Sequence, residues 1–394
     1  MSKFTVRILT AVVTFAIGVA LTTAWVFDRA EQPTIAPVQL SSGGTAMEMV
    51  FVLDTTASMG DLLSGAKERI WGIINEVMQS SKVSSVKVGL VAYRDRGDEY
   101  VTQVLPLTDD LDKVYLTLMD YEADGGGDQP EDVRRALTEG VSKAGWSRPS
   151  PGTAQILFLV GDAPPHDYGD EPDTLTTADL AVKQGIIVNT IQCGNSGMTQ
   201  EVWETIARRG QGQYFLIPQN GGVQTISTPY DTELSQLGGR LGGTYMSYGG
   251  GGGAAGLQFR ESQKRLAYAY ESTVATRSAP SAAAERTVNK ALNSRAYVGD
   301  LLQDIENGSI NYDSVKSEDL PSELQKLSPE ERKQEIEKRL AERSEIRKQI
   351  LALSQQRAEY IAAERKKHTG GAQNGFDGAV SAALREQLAK KGIK

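Results

Sequence analysis

The sequence is poor in the two residue types that most often carry redox and acid–base chemistry. Its 394 residues include one cysteine, Cys193, and two histidines, His166 and His368. A single cysteine cannot form a disulfide within the chain, which excludes a disulfide-stabilised scaffold. Two histidines leave little material for a zinc site or for a Ser-His-Asp triad. The net charge of −8 argues against nucleic acid as the main partner.

The amino terminus differs from the rest of the chain, whose 40% hydrophobic and 23% charged residues are typical of a globular protein. Residues 8–27 carry no charge, and at helical rise this run matches a bilayer core of about 30 Å. Lys3 and Arg7 precede it, which predicts the amino terminus inside and the bulk outside. We therefore predict that residues 1–29 anchor the chain in a membrane, with the bulk of the chain outside. Cleavage as a signal peptide, followed by secretion, is the alternative.

The remaining residues divide by composition into four segments. Residues 30–46 are rich in Pro, Ser and Gly and predict a flexible linker. Residues 47–248 alternate apolar runs with helical periodicity, which predicts an α/β fold with a doubly wound, mostly parallel sheet. An unbroken run of glycines from Gly249 predicts a flexible joint over 249–256. The remaining residues, 257–394, predict a mostly helical carboxy-terminal region.

One helix of that region has a clear start signal. Ser328 is followed by Pro329 and, three positions after the serine, by Glu331, which is the pattern of a capping box. We expect a long charged helix over about 329–367. Apolar positions in its second half follow coiled-coil spacing for barely two heptads, so we predict packing on neighbouring helices instead of a sustained coiled coil.

Carboxylates and hydroxyls follow the predicted strands at three places. Asp54, Thr56 and Ser58 come directly after an apolar run, Glu131 precedes a predicted helix, and Asp162 follows another apolar run. The carboxyl edge of an open α/β sheet is where ligands bind, and these segments meet there. Ligands that are all oxygen atoms suit a hard cation, Mg²⁺ first and otherwise Mn²⁺ or Ca²⁺.

These three segments resemble the metal loops of von Willebrand factor A (vWA) domains. FVLDTTASM is similar to the DxSxS signature of the metal-ion-dependent adhesion site, with threonine in place of the first serine. LVGDAPPH resembles the third metal loop, and GGGDQPE resembles the second loop of a vWA subgroup and of integrin β I-like domains. The resemblance covers about residues 47–248. Its last part looks like vWA domains of bacterial envelope proteins, which implies that the membrane is a bacterial inner membrane and that the bulk of the chain faces the periplasm.

The resemblance implies a role for each residue of the metal site. Thr56 and Ser58 would bind the metal directly through their hydroxyl groups, and Asp54 and Asp162 would act directly or through water. Glu131 stands where many members have threonine. It adds a third negative charge, which should hold the cation more firmly and attract an acidic partner less.

The resemblance also implies a second candidate cation site, formed by Asp128 and the carbonyl group of Pro130 as in integrin β. In the family, an Asp or Glu of a protein partner completes the coordination of the metal. The expected function is therefore metal-dependent protein binding at a membrane, without catalysis.

Two other functions compete with this interpretation. DTTAS also resembles the nucleophile loop of haloacid-dehalogenase-type phosphatases, with Asp162 and Asp167 as their acidic motif and Lys183 as the phosphate-binding lysine. Thr56, however, stands where most such phosphatases have a second carboxylate. The second alternative is a metal-independent scaffold that acts through its helical region.

Overall fold

A strand buried on both of its faces forms the centre of the fold. The computed structural model describes residues 45–80, 83–127, 130–222, 226–293, 295–367 and 375–393. Within these residues, six strands form one sheet: β1 (Thr45–Asp54), β2 (Val83–Tyr93), β3 (Thr102–Thr108), β4 (Thr153–Gly161), β5 (Ile186–Cys193) and β6 (Gln211–Ile217). The last eight residues of β1 are all buried, as expected for a strand covered by helices on both sides.

The strand order in the sheet is β3-β2-β1-β4-β5-β6. β1 pairs in parallel with β2 and β4, and β5 and β6 continue the parallel sheet. β3 alone runs antiparallel, because a short turn joins it to β2 and no crossover helix intervenes. The predicted doubly wound, mostly parallel sheet is confirmed. This order places β1 and β4, which end at Asp54 and Gly161, side by side at the carboxyl edge.

Six helices alternate with or follow the strands: α1 (Gly60–Ser80), α2 (Leu111–Asp120), α3 (Val133–Ser142), α4 (Thr174–Lys183), α5 (Gly197–Arg209) and α6 (Asp231–Gly243). Alternate side chains of β1 lie in two separate hydrophobic cores, one on each face of the sheet. Met49 and Phe51 pack with α1 and α2 on one face of the sheet, whereas Val50 and Val52 pack with α3 and α5 on the other. This alternation follows from the two-residue period of a strand.

Six further helices follow: α7 (Gly253–Arg277), α8 (Pro280–Leu292), α9 (Leu301–Glu306), α10 (Ser322–Gln325), α11 (Pro329–Lys367) and α12 (Phe376–Lys390). The predicted helical character of this region is confirmed. At the start of α11, the Ser328 amide donates to Glu331, and the Glu331 amide donates to the Ser328 hydroxyl oxygen. These are the two reciprocal hydrogen bonds of a capping box.

The last helix, α12, returns to the sheet and completes its core. Phe376 at its start packs 6.1 Å from Phe51 of β1, and Phe51 stacks on Phe158 of β4 at 5.3 Å. The neighbouring residues Val380, Ala383 and Leu384 belong to the same buried cluster. The helical segment predicted as a separate region therefore shares its core with the sheet, although the domain boundaries themselves stay a prediction.

Three buried arginines of α8 and α11 bind carboxylates from elsewhere in the chain. Arg286 contacts Asp112 and Glu271, Arg343 contacts Asp300, and Arg357 contacts Asp231 and Glu285. Removing one partner from such a pair leaves a buried charge without compensation, which is strongly destabilising. These pairs therefore specify how α8 and α11 lie against α2 and α6.

The glycine run forms a hydrogen-bonded turn. The amides of Gly249 and Gly251 donate to Asp319, each at 2.7 Å, and Arg260 donates to both glycine carbonyl groups. Both glycines have positive φ, which side chains other than glycine rarely adopt. α7 begins at Gly253, inside the segment predicted as a joint, so backbone conformation explains these glycines better than flexibility does.

The predicted anchor lies outside the described residues. Among the helices that the structure does describe, none is both long and apolar enough to cross a bilayer. Residues 1–44, with the anchor and most of the predicted linker, fall before the first described residue, Thr45.

Candidate metal centre

The carboxyl edge of the sheet brings the three predicted loops together. Asp54 is the last residue of β1, and Asp162 follows the last residue of β4. Leu53 lies beside Val160 in the register of these two strands, so the two aspartates leave the sheet next to each other. Glu131 precedes α3 and forms an isolated bridge with Pro165, which ties its loop to the segment after β4.

One oxygen of Asp54 shapes the first loop, and the other is left free. Oδ1 accepts hydrogen bonds from the Thr56 amide at 2.9 Å and from the Thr56 hydroxyl at 2.7 Å. Thr56 Oγ1 also lies 3.3 Å from Ser58 Oγ, so the two hydroxyl groups are neighbours. Asp54 Oδ2 is buried and has no hydrogen-bond partner. A buried acceptor without a partner is costly unless a ligand compensates it.

Glu131 has a second such oxygen. Its backbone is fixed on both sides, because its amide donates to the Pro164 carbonyl and its carbonyl accepts from the His166 amide. The side chain is 2% exposed, and Oε2 has no hydrogen-bond partner. Gly126 covers it: a Cβ atom there would lie 2.8 Å from Thr56 Cβ and 3.3 Å from Glu131 Oε1. Glycine is needed at this position for space and for its positive φ.

Asp162 is held by the segment after β6 and by the start of α5. Its Oδ2 accepts a hydrogen bond of 2.7 Å from the side-chain amide of Gln219, which also donates to the Ser58 carbonyl at 3.3 Å. Its backbone carbonyl accepts from the Thr199 hydroxyl at 3.1 Å. Asp162 is 8% exposed, the most accessible of the three carboxylates. Its orientation therefore depends on segments that follow β5 and β6.

Burial and neighbouring carboxylates raise the pKa values of Asp54 and Glu131. Burial raises the pKa of Asp54 to about 7, hydrogen bonds from Thr56 oppose the shift, and the charge of Asp162 adds to it. Burial, followed by the charges of Asp54 and of acids in the β2–β3 turn, raises the pKa of Glu131 to about 8. Within the described residues, none of the three forms an ion pair with a basic side chain. No basic side chain of the described residues therefore pairs directly with this cluster.

These residues fit a hard divalent cation. Asp54 and Glu131 each have a buried oxygen without a partner, and Thr56 and Ser58 place two hydroxyl oxygens beside them. Oxygen donors of this kind are those that Mg²⁺ and Ca²⁺ prefer. In the described part of the chain, His, Cys, Asp and Glu side chains alone form no group of three that could hold a metal ion. Of the second candidate site, Pro130 is described, and Asp128 lies outside the described residues.

A comparison with known protein families matches residues 48–229 to the von Willebrand factor A domain. This range includes most of β1, all of the other five strands, and the three loops that carry the carboxylates. This match supports a vWA domain over residues 48–229.

Individual relatives resemble parts of the chain. The von Willebrand factor A domain-containing protein 7 of Rattus norvegicus is 38% identical over 122 residues, which is 31% of this chain. The putative ariadne-like RING finger protein R811 of Acanthamoeba polyphaga mimivirus is 24% identical over 127 residues, which is 32% of this chain. The matched segment spans only 12% of the length of either relative.

Two solved structures are also similar. BatB, a conserved hypothetical protein from Bacteroides thetaiotaomicron, is 18% identical, with a TM-score of 0.31 over 44% of this chain and 91% of its own. The SpRpn10 VWA domain is 18% identical, with a TM-score of 0.33 over 45% of this chain and 89% of its own.

Three residues of the vWA domain contribute to the site without having been predicted. Gln219 orients Asp162, and Asp98 accepts hydrogen bonds from the Gly126 amide and so holds the loop that covers Glu131. The hydroxyl group of Tyr93 lies against Gly161 at the end of β4, where a Cβ atom would be only 2.4 Å from it. Burial, followed by the charges of the site's carboxylates, raises the pKa of Tyr93. All three stand near the carboxyl end of a strand, which was the available signal.

The residue proposed for a phosphatase mechanism is far from this edge of the vWA domain. Lys183 is the last residue of α4, and β5 begins three positions later. Because β5 runs parallel to β4, its start lies at the amino edge of the sheet, opposite Asp54 and Asp162. Lys183 is therefore not placed to contact a phosphate held at the carboxylates, and the phosphatase interpretation loses the lysine suggested for it.

Proposed function

We propose that this chain is a membrane-tethered vWA domain that binds one divalent cation, Mg²⁺ first, and uses it to hold an acidic residue of a protein partner. The observation that carries the proposal is the pair of buried oxygens without partners, Asp54 Oδ2 and Glu131 Oε2, beside two hydroxyl groups. A role in interaction, without catalysis, is typical of vWA domains.

Five side chains would hold the cation. Thr56 and Ser58 would bind through their hydroxyl oxygens, and Asp54, Glu131 and Asp162 through carboxylate oxygens, directly or through water. A bound dication would supply the missing positive charge and a coordination position for one oxygen of the partner. Gln219 and the Asp54–Thr56 hydrogen bonds would keep the ligands in place, as outer-shell contacts do in other metal sites.

The charge of the site affects metal binding and partner binding in opposite directions. Three carboxylates around one dication leave a net charge of −1, so the cation is well neutralised before a partner arrives. An acidic partner would then bind best when one carboxylate withdraws behind water. We therefore expect Glu131→Thr to weaken metal binding and to strengthen the binding of an acidic partner. Weaker partner binding by this variant would contradict the argument.

Calorimetric titration of the purified full chain with Mg²⁺ and Mn²⁺ tests the metal site. We expect one dication per chain in the wild type and a clear loss of affinity in Glu131→Ala and Asp54→Ala. Asp61→Ala, which changes an exposed acid in the first turn of α1, is the matched control and should bind normally. The absence of binding in the wild type would refute the metal site.

The partner interaction needs its own measurement. A peptide with a single glutamate is compared with its glutamine counterpart, each with Mg²⁺ and with EDTA. Binding of the glutamate peptide in Mg²⁺ alone supports the proposal. Partner capture that survives both EDTA and Asp54→Ala would favour the metal-independent scaffold, and steady hydrolysis of a phosphate ester would favour the phosphatase.

The proposed tether is supported by the uncharged run at residues 8–27 and the basic residues before it. Fractionation of cells that express the full chain checks it. We expect the protein to remain with membranes after an alkaline wash. Release of a shortened chain would indicate a cleaved signal peptide instead.

A further inference from the structure

A small cavity lies away from the carboxylate edge, between the start of α2, the middle of α7 and the end of α8. Its volume is about 60 Å³, and its walls include three tyrosine rings, Tyr245, Tyr270 and Tyr297. About 10–15 Å³ is needed for one water molecule, so the cavity has room for a few waters or for one small polar head group. Because it shares no residue with the metal loops, it is independent of the proposed function.

One polar group in the wall lacks a partner. Tyr297 is 5% exposed, and its hydroxyl group is buried without a hydrogen-bond partner. The backbone on both sides of the ring is satisfied, since the Tyr297 amide and carbonyl both bind the side chain of Gln303. This hydroxyl group can therefore hydrogen-bond to a molecule in the cavity, either a ligand or water.

The charges of the wall do not balance. Asp110, Asp112 and Glu271 contribute three negative charges. Arg286 contacts both Asp112 and Glu271, and Lys290 lies 2.6 Å from Asp112. Arg286 and Lys290 together neutralise two of the three negative charges, so one remains.

Asp110 is the acid of this wall that has no ion-pair partner among the described residues. Its carboxylate caps α2 by accepting from the Lys113 amide at 3.1 Å, and it forms no ion pair with any residue that the structure describes. Burial, followed by the charge of Asp112, raises the pKa of Asp110.

The aromatic wall already holds one ammonium group. Lys290 Nζ lies 4.2 Å from the centre of the Tyr297 ring and donates to the Ala296 carbonyl at 2.9 Å. Tyrosine faces attract cations in this range of distances. Leu266 and Val298 also line the cavity, and they are 46% and 61% exposed, so an alkyl chain that leaves the cavity would meet apolar side chains.

We propose that this cavity is a binding site for an alkylammonium group. The ammonium group would pair with Asp110 and lie against the faces of the tyrosine rings. Its alkyl chain would pack against Leu266 and Val298. A free primary amine and a lysine side chain of another protein share this chemistry.

Ligand-observed NMR titration of the full chain tests the site. The probe is n-butylammonium, and the controls are 1-butanol, which is neutral, and butyrate, which is an anion. We expect binding of the cation alone. Equal binding of 1-butanol, or no binding of butylammonium, would overturn the proposal.

Two conservative variants test the assignment of the residues. Asp110→Asn keeps a good helix cap but removes the charge, and it should weaken butylammonium binding about tenfold, as expected for one charge-assisted contact. Tyr297→Phe removes only the hydroxyl group without a partner, so it should fold normally and also bind more weakly. Asp109→Asn, at the adjacent position outside the cavity wall, is the matched control and should bind like the wild type. Unchanged affinity in both test variants would contradict the assignment.

A third experiment distinguishes a free amine from a lysine side chain of another protein. A short blocked peptide with one lysine is compared with butylammonium. If the peptide binds at least as tightly, the ligand is a lysine of another protein; if only the free amine binds, it is a small molecule. Either result supports an ammonium site.

Discussion

The side-chain amide of Gln219 donates a hydrogen bond of 2.7 Å to Oδ2 of Asp162. This contact joins the segment after β6 to the loop after β4, and the same amide reaches the carbonyl of Ser58 in the loop after β1. Gln219 therefore connects two of the three loops that we propose as metal ligands. It is the clearest example of a site residue that supports the ligands without belonging to their motifs.

Gln219→Ala should weaken Mg²⁺ binding about tenfold or more, because outer-shell partners that orient a metal ligand typically contribute that much. Calorimetric titration of the full chain measures the change. Gln200→Ala is the control, since that glutamine lies exposed on α5 and bonds only to Glu204 among the side chains described. Unchanged affinity in Gln219→Ala would show that Asp162 does not need this contact.

Metal binding should release protons near neutral pH. The pKa values of Asp54 and Glu131 are raised to about 7 and about 8 in the metal-free protein, so both are partly protonated at pH 7. A cation must displace these protons, and Mg²⁺ affinity should therefore rise as the pH increases from 6 to 8. Titrations at pH 7 in two buffers of different ionisation enthalpy count the protons. A heat that is independent of the buffer would contradict this prediction.

The same shifts predict the pH dependence of stability without metal. A carboxyl group whose pKa is raised on folding stabilises the protein below its unfolded pKa of about 4. This contribution is lost as the pH rises through the folded pKa values of about 7 and about 8. Urea unfolding in EDTA should show it, and saturating Mg²⁺ should restore the stability. Asp54→Asn, which cannot ionise, should lose part of the pH dependence.

The buried cluster around Asp112 should have the opposite pH dependence. Burial alone would raise its pKa, but the charges of Arg286 and Lys290 outweigh burial and hold the pKa of Asp112 well below its usual range. Its contribution to stability is therefore present above a pH of about 4 and is lost as the pH falls further. Asp112→Asn should reduce the free energy of unfolding by about 3–5 kcal/mol at neutral pH. Asp120→Asn, in an exposed pair with Arg277, should change it by less than about 1 kcal/mol.

Loss of Phe376 should destabilise the sheet as well as α12. Its ring is 3% exposed and packs 6.1 Å from that of Phe51. Phe376→Ala should lower the free energy of unfolding by about 3–5 kcal/mol, the usual effect of removing a buried phenylalanine ring. Leu351→Ala, at a position 40% exposed on α11, is the control with little expected effect. If only α12 gained hydrogen exchange while the sheet kept its protection, α12 would be an appendage and not a part of the core.

The sequence by itself determined that strands alternate with helices over residues 47–248, and where the three loops that we propose as metal ligands lie. An apolar run such as 47–53 predicts a strand covered on both faces wherever it lies, and the capping box at Ser328 is a local hydrogen-bond pattern. Parallel strands end at one edge by geometry, so Asp54 and Asp162 could be placed together from their positions after two runs.

Only the tertiary structure decided which side chains complete these local patterns. Whether Asp54 Oδ2 keeps a partner depends on every atom around it, and Gln219 reaches Asp162 from 57 positions away. Phe376 is separated from Phe51 by most of the chain, and nothing in its neighbouring residues indicates a return to the sheet. Local periodicity is set by the backbone and by adjacent residues, whereas these contacts are set by how the complete chain packs.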